Sequence, residues 1–364
     1  MAACRGSFRA LILFDVADGI DLKTLRSILK VEPGQREPSF TRPAPDYVRF
    51  ERPPLLEPLA PVYLASGHQF QGRVKYYDYG VLSVELEHYF DLDWHELVQL
   101  SSAWIGAPEI EEIATGIALE HAKRVTPALT KPTVSWLDED YYVVHLHEAY
   151  DFAGRTLDAP SMLDQNGAHI AMIVRGERNL LSDSERQEAL RASLSYYPTD
   201  LVVIGWVAAL VYDTPHDAVA AVQLLEYANS QLLEYRHYDG VLTTVLSRVY
   251  RSLEHKAGPW SRWRMAREAA ELNTLRLDIT ELAEHTDNAI KFLSDMFYAR
   301  AYRLASTRIG VQDYRSLVTE KLITARDLYE SMITEFHQAR AFVLELMVVI
   351  ILLIEIVFLF KGKG

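Results

Sequence analysis

The chain has 364 residues, 49% hydrophobic and 24% charged, with 37 basic against 50 acidic side chains and a net charge of −13. So acidic a chain repels a phosphate backbone overall, and nucleic-acid binding would need a local basic patch. The single cysteine, Cys4, excludes an intrachain disulfide and a cysteine-rich zinc site, and fits a reducing compartment.

The opening "MAACRGSFRALILFDV" lacks the apolar core and small-residue cleavage site of a signal peptide, and it is not an Arg- and Ser-rich amphipathic presequence. The bulk of the chain is therefore expected to stay in the compartment where it is made. "FRALILFDV" predicts a strand, and "DLKTLRSILK" predicts a helix capped by Asp21. The proline-rich stretch 31–61 predicts loop, with "DYVRF" as a short strand. "GRVKYYDYGVLSVELEHYF" predicts a hairpin turning at Asp78-Tyr79-Gly80, followed by helices in "DLDWHELVQLSSAW" and "EIEEIATGIALEHAKRV". "DYYVVHLHEAY" and "AHIAMIVRGE" are expected to be strands, "DSERQEALRASLSYY" a helix, and "DLVVIGWVAALVYD" strand-like. A helix from about Pro215 to Arg236 follows. Residues 76–100 and 196–224 share an aromatic start, a strand pair, an acidic turn and a helix. That suggests either two related halves or two similar hairpins in one sheet.

The chain carries no phosphate-binding G-x-x-x-x-G-K-[ST], no G-x-G-x-x-G, no G-x-S-x-G and no H-E-x-x-H. In "HLHEAY", His145 and His147 share one side of a strand with Glu148 opposite, but no third metal ligand is identifiable. The acids of "DLDWHE" sit at a helix start, where they suit free N–H groups and the helix dipole. The basic patch "HKAGPWSRWRMAR" holds Lys256, Arg262, Arg264 and Arg267 with Trp260 and Trp263 and no acid. Cationic and indole groups together suit anionic lipid, a protein partner or RNA; the plainer alternative is a helix start with packed tryptophans and solvated arginines.

Beyond residue 240 the pattern is helical. A seam of alternating four- and three-residue steps runs Val318, Leu322, Ala325, Tyr329, Met332, Phe336, Ala339, Val343, Leu346, Ile350, Leu353. An earlier seam runs from Leu272 to Met296, and Gly310 separates the two, which predicts a helical hairpin. Of the 19 residues from Phe342 to Phe360, sixteen are Leu, Ile, Val or Phe. As a helix they would span roughly 28 Å, close to a bilayer core of about 30 Å. Their summed insertion free energy of roughly −7 kcal/mol outweighs the cost of two acids, Glu345 near one boundary and Glu355 off-centre. Lys361 and Lys363 suit the interface. Both acids lie off the seam, so a neighbouring helix or subunit is expected to cover Glu355, favouring higher-order association over a bare dimer.

The stretch "LVTEKLITARDLYESMITEFHQARAFVLELMVVIILLIEIVF" resembles the end of the required-for-meiotic-nuclear-division family. Members end in a helical segment, a polar patch with a histidine, then "LE" before an isoleucine run and a second "IEV". Here His337, Arg340, Leu344-Glu345 and Ile354-Glu355-Ile356 hold those places, "YDYG" (77–80) stands for the typical "FDYG", and "LEYANSQLLEYRHYD" fits bacterial-type members. The likeness is best over the last fifty residues; Leu346 replaces a frequent Trp. It implies a membrane-anchored, self-associating protein without known catalysis. Animal members sit in the mitochondrial inner membrane and support mitochondrial translation. No catalytic residues carry over.

The sequence thus predicts an α+β class. Residues 1–130 and 131–240 form two α+β halves, 241–341 a helical stalk, and 342–360 one transmembrane helix, with the bacterial inner membrane as the expected location, or the mitochondrial inner membrane in a eukaryote. The expected function is a homo-oligomeric scaffold without catalysis or cofactor. Its membrane and subunit contacts would be made by Val343, Glu345, Leu346, Ile350, Leu353 and Glu355. The alternatives are an enzyme or ligand-binding head, and an RNA or ribosome tether through residues 255–267.

Overall fold

The computed structural model describes residues 3–30, 48–50, 53–254, 259–288, 290–292 and 297–361. In chain order its strands are β1 (Ala3–Asp15), β2 (Ala17–Ile20), β3 (Val48–Phe50), β4 (Leu55–Pro58), β5 (Val62–Tyr63), β6 (Gln69–Tyr76), β7 (Val81–Asp93), β8 (Leu129–Pro132), β9 (Asp138–Ala149), β10 (Ser193–Leu194), β11 (Leu201–Ile204), β12 (Ala208–Tyr212) and β13 (Ile290–Phe292). The helices are α1 (Leu22–Leu29), α2 (Trp94–Trp104), α3 (Pro108–Val125), α4 (Ala159–Arg175), α5 (Asp183–Arg191), α6 (Ala218–Glu254), α7 (Pro259–Asn288), α8 (Phe297–Ile309) and α9 (Val311–Lys361). The chain divides into two compact units, Met1–His237 with Leu282–Arg315, and Tyr238–Glu281 with Ser316–Gly364.

Among the described residues, the first unit is built on one nine-stranded sheet in the order β10-β11-β12-β9-β1-β7-β6-β4, with β5 also on β6. The hairpins β6–β7 and β11–β12 both belong to this sheet. All its pairings are antiparallel except β12 with β9. Strand alternation gives the sheet two unlike faces. Phe8, Ala10, Ile12 and Phe14 of β1, with Val74, Leu82, Val84, Leu86, Tyr142 and Val144, point to one side. There they form the apolar core with Trp94, Leu97 and Trp104 of α2, Ile110 and Ala114 of α3, and Ile170 and Ile173 of α4. Each large side chain so buried contributes about 1.5–3 kcal/mol. The opposite face carries Ser7, Arg9, Lys75, Ser83 and Glu85, all buried, and meets the polar residues Glu226 and Ser230 of α6. Beyond α6 comes α8, whose Tyr302 ring lies 5.9 Å from that of Tyr227 and whose hydroxyl donates to Gln231.

Local signals hold where their chemistry is complete. Asp21 accepts from the Lys23 amide at the start of α1. Asp93 and Glu96 form a reciprocal capping box on α2, the role expected of these acids. The turn at Asp78-Tyr79-Gly80 requires its glycine: φ is +99°, and a Cβ there would lie 1.7 Å from the Ala17 carbonyl oxygen.

One expectation is corrected and another refined. "AHIAMIVRGE" is the end of α4, not a strand. Asp158 caps the helix through the Ser161 amide, Pro160 lies in its first turn, and Gly176 ends it at φ 69°. Ile170, Ala171, Ile173 and Val174 are buried at helical spacing rather than alternately. "DLVVIGWVAALVYD" is two antiparallel strands, β11 and β12, because the chain turns at Gly205, where a Cβ would lie 2.1 Å from the Val174 carbonyl oxygen. Within 31–61, residues 31–47 and 51–52 lie outside the described residues, while "DYVRF" ends in β3 and β4 follows.

In the second unit Leu246 and Val249 of α6, Ala269 and Leu272 of α7, and Ala325 and Met332 of α9 form one apolar cluster. The α9 seam is buried here at Val318, Ala325 and Met332, at a spacing of seven. The sequence reading missed that α6 supplies a third helix to this seam. Lys321 Nζ donates to Asp239 Oδ1 at 2.5 Å and to Thr243 Oγ1 at 2.6 Å, fixing α9 against α6. Met332→Ala should lower the stability of this unit by about 2–4 kcal/mol in chemical denaturation, and an unchanged midpoint would contradict the packing.

From residue 343 the environment of α9 changes. Val343, Leu346, Ile350 and Leu353 are 49%, 49%, 46% and 56% exposed, and so are their neighbours all round the helix. Glu345 and Glu355 are exposed as well. Among the described residues no helix is long and apolar enough to cross a membrane. The side chains described without interruption in this region are 343–356, which span roughly 21 Å as helix.

Candidate functional site

The charged face of the sheet gathers six ionic side chains that the sequence scatters from residue 9 to residue 226. On β7, Ser83, Glu85 and Glu87 recur at every second position and so share the side facing α6. Arg73 lies directly opposite Glu85 across the β6–β7 ladder, and Lys75 opposite Ser83. Arg9 lies opposite Glu87 across β1–β7. The contacts form a chain of alternating sign. Arg9 reaches Glu87 at 2.7 Å and Glu85 at 3.1 Å; Arg73 reaches Glu85 at 2.6 Å; Lys75 reaches Glu85 at 2.7 Å. Lys75 also pairs with Glu226 of α6, which accepts from Ser83 Oγ at 2.5 Å and from the Tyr77 hydroxyl.

The network balances its charges and is buried at its centre, with Arg73 at its solvent edge. Glu226 and Glu85 are 0% and 1% exposed, and Lys75 is 4% exposed. Burial opposes ionisation of Glu85, but Lys75, Arg73 and Arg9 hold its carboxyl well below the usual range. Burial, with Glu226 alongside, drives the Tyr77 hydroxyl far above its ordinary value, so it stays a donor. Three cations meet three carboxylates, the condition under which buried charge is tolerable. Farther along α6, the Tyr79 hydroxyl lies 2.7 Å from Ser230 Oγ. Arg236 pairs with Glu139, whose burial raises it to about 7 despite that partner, and His237 reaches Asp15 at 2.5 Å. The arrangement can fix α6 on the sheet and hold its charges in place.

A second constellation lies on the other face. The Tyr76 hydroxyl is 2.9 Å from both Glu57 Oε2 and His121 Nδ1, and Arg124 contacts Glu57 and lies 3.0 Å from His121. It ties β4, β6 and α3 together. Burial opposes ionisation of Glu57, but Arg124 and Tyr76 lower it, while burial lowers His121.

The histidine pair of "HLHEAY" is explained by packing. His145 is 2% exposed, and its Nε2–H donates to the Asp213 carbonyl at 3.0 Å. Burial lowers it to about 4. The folded protein therefore keeps His145 neutral. Its contribution is complete above the unfolded value near 6.5 and is lost as pH falls from there through about 4. His145→Gln should flatten that part of the stability-against-pH curve; an unchanged acid limb would show that another group governs it. Among the described residues no group of three or more His, Cys, Asp or Glu could hold a metal ion.

The remaining expected site residues are not brought into this network. Val343, Glu345, Leu346, Ile350, Leu353 and Glu355 lie along the exposed part of α9. Of the basic patch, Lys256 lies outside the described residues. Trp260, Arg262, Trp263 and Arg264 fall on the first turns of α7 with side chains not described, and Arg267 is exposed.

The first unit is thus a mixed α+β domain with one apolar sheet face and a second face on which the charged network lies beside the buried Leu11, Leu13, Tyr141 and Val143, with α6 over the network. The chain belongs to the family defined by the N-terminal domain of the uncharacterized protein MJ0711, whose profile matches residues 5–218. That protein, from Methanocaldococcus jannaschii, is 21% identical over 203 residues, covering 55% of this chain and 61% of its own length. The match therefore spans less than two thirds of that relative. No solved structure matches the chain. The family segment starts in β1 and ends at the first residue of α6, so it contains every ionic member of the network except Glu226. Nothing in these matches links the chain to the required-for-meiotic-nuclear-division family.

Proposed function

We propose that the protein is a membrane-anchored, self-associating scaffold, with its α+β unit on the cytoplasmic side and a single C-terminal span. The observation that carries this reading is the abrupt change along α9. The seam is covered at Val318, Ala325 and Met332, whereas from 343 to 356 large apolar side chains are about half exposed on every side of the helix. A helix apolar all round is stable only in lipid or among other helices. The described stretch alone falls short of a bilayer core, but the apolar sequence continues from Phe342 to Phe360. The likeness of the last fifty residues to the required-for-meiotic-nuclear-division family adds the expectation of self-association.

The role of scaffold rather than enzyme rests on the charged network, whose titratable groups are spent on one another. Two acids on the apolar helix need covering, and a second copy supplies the cover for Glu355. In mild detergent the full chain should have a mass that is a multiple of 41.5 kDa. Glu355→Gln should keep that mass, while Glu355→Leu should lower it. A monomer of the native chain would overturn self-association, and an unchanged oligomer in Glu355→Leu would show that Glu355 lies at the lipid boundary.

A further inference from the structure

Near the start of β6 and along β7, two histidines that the network does not use stand together. The rings of His68 and His88 are 5.4 Å apart at an interplanar angle of 81°. Each also lies edge-on to Trp104 of α2, at 5.1 Å and 5.0 Å. His88 Nδ1 is 2.8 Å from the Gln69 carbonyl oxygen, which can only accept. The proton is therefore on Nδ1, and the Nε2 lone pair is free. His68 Nδ1 is 2.8 Å from Ser66 Oγ, a hydroxyl that can accept from Nδ1–H or donate to the bare nitrogen. At His88 this is the outer-shell arrangement that orients a metal-binding imidazole, one nitrogen held by an oxygen and the other presented, and Ser66 as acceptor would hold His68 in the same way.

The spacing agrees with that use. A metal–nitrogen bond of about 2.0–2.1 Å puts each ring centre about 3.2 Å from the ion, so two imidazoles at a tetrahedral angle have centres about 5.2 Å apart. The observed 5.4 Å fits that separation. His68 is exposed and His88 half-buried, so water can fill the remaining positions. His88 is anchored in a long strand and backed by the buried Phe70, at 5.3 Å.

We propose that His68 and His88 form an open two-imidazole site for a borderline divalent transition metal, of the class of zinc, nickel or copper. Two nitrogen ligands select these ions over magnesium and calcium, which take oxygen. The site belongs to the loop between β5 and β6 and the facing end of β7, apart from both the charged network and the exposed helix.

The test is titration of the full chain with Zn(II) and Cu(II) salts, read by calorimetry, with tryptophan fluorescence as a second signal. Copper bound there should quench Trp104, and Trp104→Phe should remove the largest part of the quenching while leaving the calorimetric affinity. Both His68→Ala, on an exposed turn, and His88→Ala should weaken binding at least about tenfold. His147→Ala should leave it unchanged. Electron paramagnetic resonance of the copper complex should show two nitrogen ligands. Equal affinity in the wild type and both single variants, or the absence of saturable binding, would overturn the assignment.

Discussion

Glu226→Ala should lower the stability of the first unit by about 3–5 kcal/mol. The carboxylate is 0% exposed and receives Lys75, Ser83 and Tyr77 together. Removing it leaves Arg9, Arg73 and Lys75 against only Glu85 and Glu87. It also leaves two buried hydroxyls without their acceptor, each a further desolvation cost. Lys75→Met alone should be similarly damaging, because Glu226 then lies buried without a cation. The double variant Lys75→Met/Glu226→Leu should recover at least half of the summed loss, since a well-packed apolar pair replaces a balanced ionic one. Chemical denaturation of the three variants measures this directly. If Glu226→Ala costs less than about 1 kcal/mol, the network is not the neutralised unit described above.

That network was only half legible in the sequence. "SVELE" and "GRVKYY" display their charges at alternate positions, a pattern that ordinarily marks the solvent face of a half-buried sheet. The hairpin and its turn are legible in that pattern, but nothing in it says that the charged face is covered. The missing signal lies in α6. In "LLEYANSQLLEY" the polar residues Glu226, Asn229, Ser230 and Glu234 recur at helical spacing, and all are buried, as is Gln231. A polar stripe on a buried helix demands a polar surface opposite, and only the sheet offers one of matching charge. The pairing is set by tertiary docking across more than 140 residues, which no local pattern reports. The error in α4 has the opposite origin. A window from Ala168 to Glu177 holds the apolar residues of a strand, and only the cap at Asp158, ten residues upstream, shows that they continue a helix. The α9 seam was legible because its spacing of seven is strictly local.

The proposed anchoring puts the apolar part of α9 in lipid. Removing residues 342–364 leaves the seam positions Val318, Ala325 and Met332 intact and takes away the exposed apolar side chains of 343–356. The loss should be nearly complete, because the deleted run carries roughly −7 kcal/mol of insertion free energy against two acids. The measurement is the distribution of the full chain and the truncated chain between carbonate-washed membranes and supernatant. The full chain should remain with the membranes, and the truncated chain, folded by its denaturation curve, should be in the supernatant. A full-length chain released by carbonate, or a truncated chain that still pellets with the membranes, would contradict the account.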